Sequence, residues 1–171
     1  MLSQLPEIEI VSVEIDPNMV NYSKDYFNLP KSYPVAVSSA EHYLDTNQKS
    51  FDIVVCDIYI KRHTENPLLT TSFYQDIASV LNQGGVLAIN CLPVSESEIV
   101  DLLLKIRSVF PWIVLFDVPS LQNIVLYCSL SAPPEISTLV IRSEQLHQSS
   151  GLNLLRICKQ LIRLPMSNQH R

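Results

Sequence analysis

Apolar and polar positions along the chain alternate between two periods. Ile8–Ile15 (IEIVSVEI) is β-branched and reads as a strand that ends at the acidic pair Glu14 and Asp16. Asp16 suits an N-cap and Pro17 the first helical position, so a helix is predicted over Pro17–Phe27. A short strand follows at Tyr33–Val37 and a short helix at Ala40–Asp45. Phe51–Cys56 (FDIVVC) is nearly continuous in apolar character, the mark of a strand buried on both faces, and it ends at Asp57.

Lys61–Pro67 is polar and reads as a loop, after which Thr71 or Ser72 caps a helix to about Leu81. Gly84-Gly85 is expected to stop that helix and turn the chain into a buried strand, Val86–Asn90. Ser95 caps a helix over Glu96–Val109, where Ile99, Leu102, Leu103 and Ile106 recur at helical spacing. Two more strands, Trp112–Phe116 and Ile124–Ser129, precede a proline-containing connection at 131–139. Helical patterns over Thr138–Gln148 and Leu152–Leu164 close the chain, the second with Arg156, Lys159 and Arg163 on a basic, solvated face. Strands alternating with helices predict an α/β fold with a mostly parallel sheet and an antiparallel edge made by the last two strands.

Of 171 residues, 47% are hydrophobic and 17% charged, which suits an ordered domain and argues against disorder. A net charge of −5 disfavours a nucleic-acid partner. There are 3 glycines, where average usage would supply about twelve, and no glycine-rich phosphate or dinucleotide loop can be written from them. The 4 cysteines are far apart, which predicts buried thiols in a reducing compartment and no disulfide or zinc framework. The 4 histidines lack metal-ligand spacing, so no metal is expected. The N-terminus has no signal-peptide pattern, and no apolar run reaches the roughly eighteen residues of a membrane span. A cytoplasmic protein with no membrane partner is the expectation.

In open α/β sheets ligands bind beyond the carboxyl ends of the strands. The strand-end residues Glu14, Ser38-Ser39-Ala40, Asp57 and Asn90 are therefore the candidates, with Glu14 and Asp57 expected to face a common guest. Each also has a plainer reading. Glu14 can simply favour the start of a helix, Asp57 can start a turn, and Ser39 can be an ordinary loop residue. Tyr59, Tyr74 and Trp112 read as core aromatics.

Five blocks in order carry a resemblance: VEIDP (Val13–Pro17) with YFNLP (Tyr26–Pro30), YL (Tyr43-Leu44), FDIVVCDIY (Phe51–Tyr59), PLLTTSFY (Pro67–Tyr74) and LNQGGVLAIN (Leu81–Asn90). Over about Ile8–Ser129 the chain resembles spermidine synthases and the bacterial spermidine synthase-like branch. The resemblance implies a Rossmann-like class I methyltransferase sheet. It also implies transfer of an aminopropyl group from decarboxylated S-adenosylmethionine to a polyamine such as putrescine, without a metal. It carries contact with the co-substrate to Glu14, Ile15, Ser39 and Ala40, Glu14 holding both ribose hydroxyls. It makes Asp57 the catalytic residue that positions and deprotonates the attacking amine. An alkyl amine with a pKa near 10 is otherwise mostly protonated and has no lone pair to offer. Members of the family commonly form dimers, which leaves a homodimer open.

The chain departs from the family pattern in three places. Ser39-Ala40 stands where the family has Asp-Gly or Asp-Ala, and Ile60 stands where it has a second aspartate. The third is that the chain begins at what corresponds to the family's second strand, so the first strand and the glycine-rich loop are missing from it. The expected organisation is a truncated Rossmann-like domain over 1–130 and a C-terminal helical extension over 131–171.

Losing about five apolar side chains of a central strand, at roughly 2 kcal/mol each, rivals the whole stability of a domain, about 5–15 kcal/mol. Three situations would meet that cost: a fragment of a longer product, direct pairing of the Ile8–Ile15 and Phe51–Cys56 strands, or a partner in the gap. Weak co-substrate binding and little turnover are expected of the isolated chain. The alternatives are an S-adenosylmethionine-dependent methyltransferase, and a non-catalytic remnant acting as an interaction module.

Overall fold

The computed structural model describes residues 8–58, 68 and 70–166. The chain divides into two compact units, Met1–Gln48 and Lys49–Arg171. In the first, strand β1 (Ser12–Glu14) leads to helix α1 (Pro17–Tyr26), strand β2 (Val35–Val37) and helix α2 (Ala40–Thr46). β1 and β2 pair in parallel, with Ser12 opposite Val35 and Glu14 opposite Val37. The α1 start is set locally: the Asp16 carboxylate accepts the Asn18 N–H at 2.8 Å, and Pro17 occupies a position where a helix needs no N–H donor.

The strand expected over Ile8–Ile15 shortens to three residues because β2 offers only three to pair with it. Ile8 and Ile10, which lie outside the pairing, are exposed.

The second unit runs β3 (Phe51–Cys56), α3 (Thr71–Val80), β4 (Leu81–Cys91), α4 (Glu96–Arg107), β5 (Trp112–Asp117), β6 (Ile124–Ser129), α5 (Ile136–Ser150), α6 (Leu155–Gln160) and β7 (Ile162–Arg163). Its five-stranded sheet has the order β3-β4-β6-β5-β7. β3 and β4 are parallel. β6 lies between β4 and β5 and runs against both, and β7 runs against β5. The result is a mixed α/β fold with parallel pairing on one side of the sheet and an antiparallel edge on the other. Among the described residues no helix is long and apolar enough to cross a membrane.

Leu87 and Ile89 of β4, Leu126 and Cys128 of β6, Tyr74 of α3, Ile106 of α4 and the loop residue Phe110 are all 0% exposed. Each large apolar side chain so placed contributes about 1.5–3 kcal/mol. Tyr74 is core, as expected, and its hydroxyl donates to the Leu68 carbonyl at 2.8 Å. Trp112 is only half-buried, at the start of β5. Tyr59 and the loop expected over Lys61–Pro67 lie outside the described residues.

Several expectations are corrected. β3 is not buried on both faces: it is the outer strand of its sheet, and Ile53 and Val55 are 64% and 70% exposed. The expected sheet is described as two, a two-stranded β1-β2 and a five-stranded one that contains β3.

Helix α3 is capped one residue earlier, by Thr70, whose hydroxyl accepts the Phe73 N–H. It ends at Val80 without help from a glycine. The chain becomes extended at Leu81, so Gly84-Gly85 lies inside β4. There the register jumps from Phe51↔Leu81 to Ile53↔Val86, and Gly84 takes φ +80°. A Cβ on Gly85 would come within 2.9 Å of the Asn82 carbonyl oxygen and 3.2 Å of the Phe51 carbonyl oxygen. The two glycines therefore serve an irregularity in strand pairing.

The helix expected over Leu152–Leu164 is six residues long, and Ile162–Arg163 is paired with β5 instead. Arg163 is not on a solvated helix face. Its guanidinium donates to Glu135 Oε1 at 3.0 Å and to the carbonyls of Pro133 and Pro134, fastening β7 to the start of α5.

Leu126→Ala is expected to lower the unfolding free energy by about 3 kcal/mol. Leu121→Ala, at a side chain 62% exposed, is expected to cost under about 0.5 kcal/mol. Urea denaturation of both variants checks the difference.

Candidate functional site

The candidate residues are distributed over the two units, and each group is organised by its own strands. In the first unit, parallel pairing puts the carboxyl ends of β1 and β2 side by side, and the Ser38 N–H donates to the Glu14 carbonyl at 3.0 Å. Glu14, Ser38, Ser39 and Ala40 are brought together there.

The half-buried Glu14 side chain folds back over its own turn. Its Oε1 accepts the Asp16 N–H at 2.8 Å, and Oε2 has no hydrogen bond among the described residues. A carboxylate held by one oxygen keeps its orientation while the other stays available. Ser39 Oγ is engaged as the cap of α2, accepting the His42 N–H at 3.2 Å, and Ala40 is the first residue of that helix. Ile15 is 70% exposed beside Glu14. Ser38 Oγ is buried and has no hydrogen-bond partner among the described residues, a condition that costs about 1–3 kcal/mol where it is uncompensated.

In the second unit, Asp57 follows the last residue of β3 and is exposed. The register Cys56↔Ile89 brings it level with Asn90. Asn90 Nδ2 donates to Asp57 Oδ1 at 2.8 Å, and Asn123 Nδ2 donates to Asn90 Oδ1 at 3.0 Å. Asn123 closes the β5–β6 hairpin, its carbonyl accepting the Val118 N–H at 3.0 Å.

Sequence reasoning named Asp57 and Asn90 and missed Asn123. The signal was available: an antiparallel strand starts at the sheet end where its neighbours finish, so the residue before the Ile124–Ser129 run belongs with Asp57 and Asn90. Ile60 lies outside the described residues.

The cysteines are free, and three of them line the buried region near Tyr74. Burial pushes the Cys56 and Cys128 thiols from an ordinary 9.0 up to about 12. It pushes Cys91 up to about 11, with the Glu98 carboxylate adding to the rise. Neutral, buried thiols are poor nucleophiles. His42 and His147 are exposed, while His63 and His170 lie outside the described residues. Among the described residues no group of three or more His, Cys, Asp or Glu is gathered to hold a metal.

Residues 2–136 match the sequence model of the spermine/spermidine synthase domain. The chain belongs to that family. Among curated proteins, this spermine/spermidine synthase-domain chain is 26% identical over 93 residues to a probable polyamine aminopropyl transferase of Bifidobacterium longum, covering 54% of this chain and 21% of the relative. It is also 27% identical over 137 residues to an N-terminal histidine N-methyltransferase of Emericella nidulans, covering 72% of this chain and 25% of that protein. The chain thus spans a quarter or less of the length of these two relatives.

The crystal structure of human methyltransferase-like protein 13 in complex with SAH superposes with a TM-score of 0.68 at 20% identity, covering 93% of this chain and 74% of that one. The spermine/spermidine synthase domain here therefore has the Rossmann-like class I methyltransferase fold. The family match includes β1 through β6 and, with them, Glu14, Asp57 and Asn123.

Two measurements follow from this geometry. Each buried thiol keeps its proton in the folded chain and loses it near 9.0 once unfolded. That stabilising contribution is complete below about pH 9 and is lost as pH rises toward 12, by about 1 kcal/mol per thiol at pH 10. Urea midpoints at pH 8 and pH 10 check the sign. Ser38→Ala removes an unpaired buried hydroxyl. It is expected to leave stability unchanged or to raise it by up to about 1 kcal/mol, and a loss of more than that in the same assay contradicts the assignment.

Proposed function

We propose that this chain is part of a transferase that moves an alkyl group from a sulfonium nucleoside to an amine, the aminopropyl group of decarboxylated S-adenosylmethionine passing to a polyamine such as putrescine. The observation that carries the reading is Asp57: a carboxylate at a strand end, fixed through one oxygen by Asn90, with the other oxygen free among the described residues. Membership of the spermine/spermidine synthase domain family supports it.

The amine acceptor is a primary ammonium at neutral pH. Asp57 Oδ2 would accept its N–H, orient the nitrogen and take up the proton as the nitrogen's lone pair forms the new C–N bond. The sulfonium supplies a carbon whose bond to sulfur breaks with the electron pair leaving on sulfur, as a neutral thioether. Glu14 Oε2 would accept a ribose hydroxyl, and the unpartnered Ser38 hydroxyl and the free Glu14 oxygen both suit a nucleoside rich in hydrogen-bonding groups. Ile15 offers an exposed apolar side chain beside that carboxylate. Ser39 Oγ, already bonded to His42, keeps a further lone pair for a ligand donor, and Ala40 leaves the α2 start uncrowded. The chemistry takes place among polar side chains, without a metal.

A second reading keeps the fold and these residues but makes the group transferred a methyl, from S-adenosylmethionine. The likeness to the Emericella N-methyltransferase, which extends over more of this chain than the likeness to the Bifidobacterium aminopropyl transferase, favours it. Turnover with decarboxylated against intact S-adenosylmethionine, in a protein of the relatives' full length, separates the two readings.

Isothermal titration of the isolated chain with methylthioadenosine tests the nucleoside role. Weak binding is expected, with Kd at or above about 100 μM. Glu14→Gln is expected to weaken it about tenfold, the equivalent of one charge-assisted hydrogen bond. Unchanged affinity in Glu14→Gln removes Glu14 from the role.

A further inference from the structure

Asp57, Asn90 and Asn123 form an ordered line of side chains across β3, β4 and the start of β6. An ionised carboxylate only accepts hydrogen bonds, so the neighbouring amide must turn its NH2 toward Asp57. That turns Asn90 Oδ1 the other way, where it needs a donor, and Asn123 Nδ2 provides one. Flipping the Asn90 amide would set oxygen against carboxylate and NH2 against NH2, two repulsive contacts in place of two bonds. The direction of the line therefore follows from the charge on Asp57. Its far end is anchored in main chain, because Asn123 is the residue that closes the β5–β6 hairpin.

We propose that Asn90 and Asn123 are positioning residues for a primary-ammonium acceptor: together they fix the carboxylate plane of Asp57 so that Oδ2 alone meets the ammonium. The inference rests on the reading of Asp57 as the amine-binding group and extends it to a residue on a different strand, beyond the sequence block that contains Asn90. One oxygen left available among the described residues fits one ammonium, held at one end of the acceptor. Asn123 never touches the amine. It acts through Asn90, by denying that amide its alternative orientation.

The test titrates the full chain with putrescine and follows the Asp57, Asn90 and Asn123 side-chain signals by NMR, in wild type, Asp57→Asn, Asn90→Leu, Asn123→Leu and Asn123→Ser. Leucine is close in size to asparagine and removes the amide, while serine restores a donor. Wild type is expected to bind, and Asp57→Asn to abolish the response. Asn90→Leu should weaken affinity about fivefold to tenfold and Asn123→Leu about threefold, the scale of single hydrogen bonds. Asn123→Ser should recover part of the loss. The urea midpoint of Asn123→Leu should stay near that of wild type, and its Asn90 NH2 signal should move before any amine is added and return part of the way in Asn123→Ser. Asp57-dependent binding that is equally strong in both leucine variants overturns the positioning role and leaves the amine reading standing. The absence of any Asp57-dependent response in wild type overturns the amine reading and this inference with it. Should Asn90→Leu fail to fold, the Asn123 pair alone decides between these outcomes.

Discussion

Strand β6 runs against both of its neighbours, and the second unit depends on that insertion. Because β6 is antiparallel to β4 and β5, its first residues meet the last residues of both, at the end of the sheet where the parallel β3 also finishes. The insertion is held by apolar burial, with Leu126 and Cys128 of β6 and Leu87 and Ile89 of β4 all inaccessible to solvent. Sliding β6 by one residue would exchange its buried side chains for its outward ones. The apolar face thereby locks the register, and the register brings Asn123 within 3.0 Å of Asn90. A polar constellation at the edge of the sheet inherits its precision from a nonpolar core.

The same logic explains where reactivity is found and where it is suppressed. Tyr74 and three cysteines are the most chemically distinctive side chains of the interior, yet burial keeps all of them protonated. Asp57 and Glu14, at strand ends, each keep one carboxylate oxygen engaged by a neutral donor from the protein. Orientation is thus fixed without a countercharge, and the negative charge remains available to a cationic or hydroxyl-bearing guest. Such an arrangement would serve the amine chemistry of both proposed readings, whether the group transferred is aminopropyl or methyl, because each needs an aligned nitrogen.

Much of the fold was legible because its signals are local. Asp16 with Pro17, and Ser95 ahead of Glu96–Arg107, act through side chains and neighbouring N–H groups two or three residues away. Periodicity marked α3, α4 and the β5–β6 pair. The misreadings share one cause, dependence on what lies opposite. FDIVVC has the composition of a central strand, but β3 is an outer one, and no local feature records how many neighbours a strand has. Gly84-Gly85 looks like a helix stop, although its use is to let β4 pass the carbonyls of Phe51 and Asn82 at close range. Ile162–Arg163 continues a helical pattern, but the open edge of β5 draws it into the sheet, where hydrogen bonds to a neighbouring strand replace those of a last helical turn.

The linear order of residues determined the alternation of strands and helices, the caps, the family, and the acidic and amide residues at strand ends, since all of these are carried by neighbours in the chain. Three-dimensional packing decided which strand ends meet, which thiols are inert and which oxygen of Asp57 is engaged by Asn90. Asn123 is separated from Asn90 by 33 positions, and only the antiparallel return of β6 through a closed hairpin brings the two amides together. Contacts of that kind depend on strand order and direction, which are set by the burial of a whole sheet face and by no single segment of the chain.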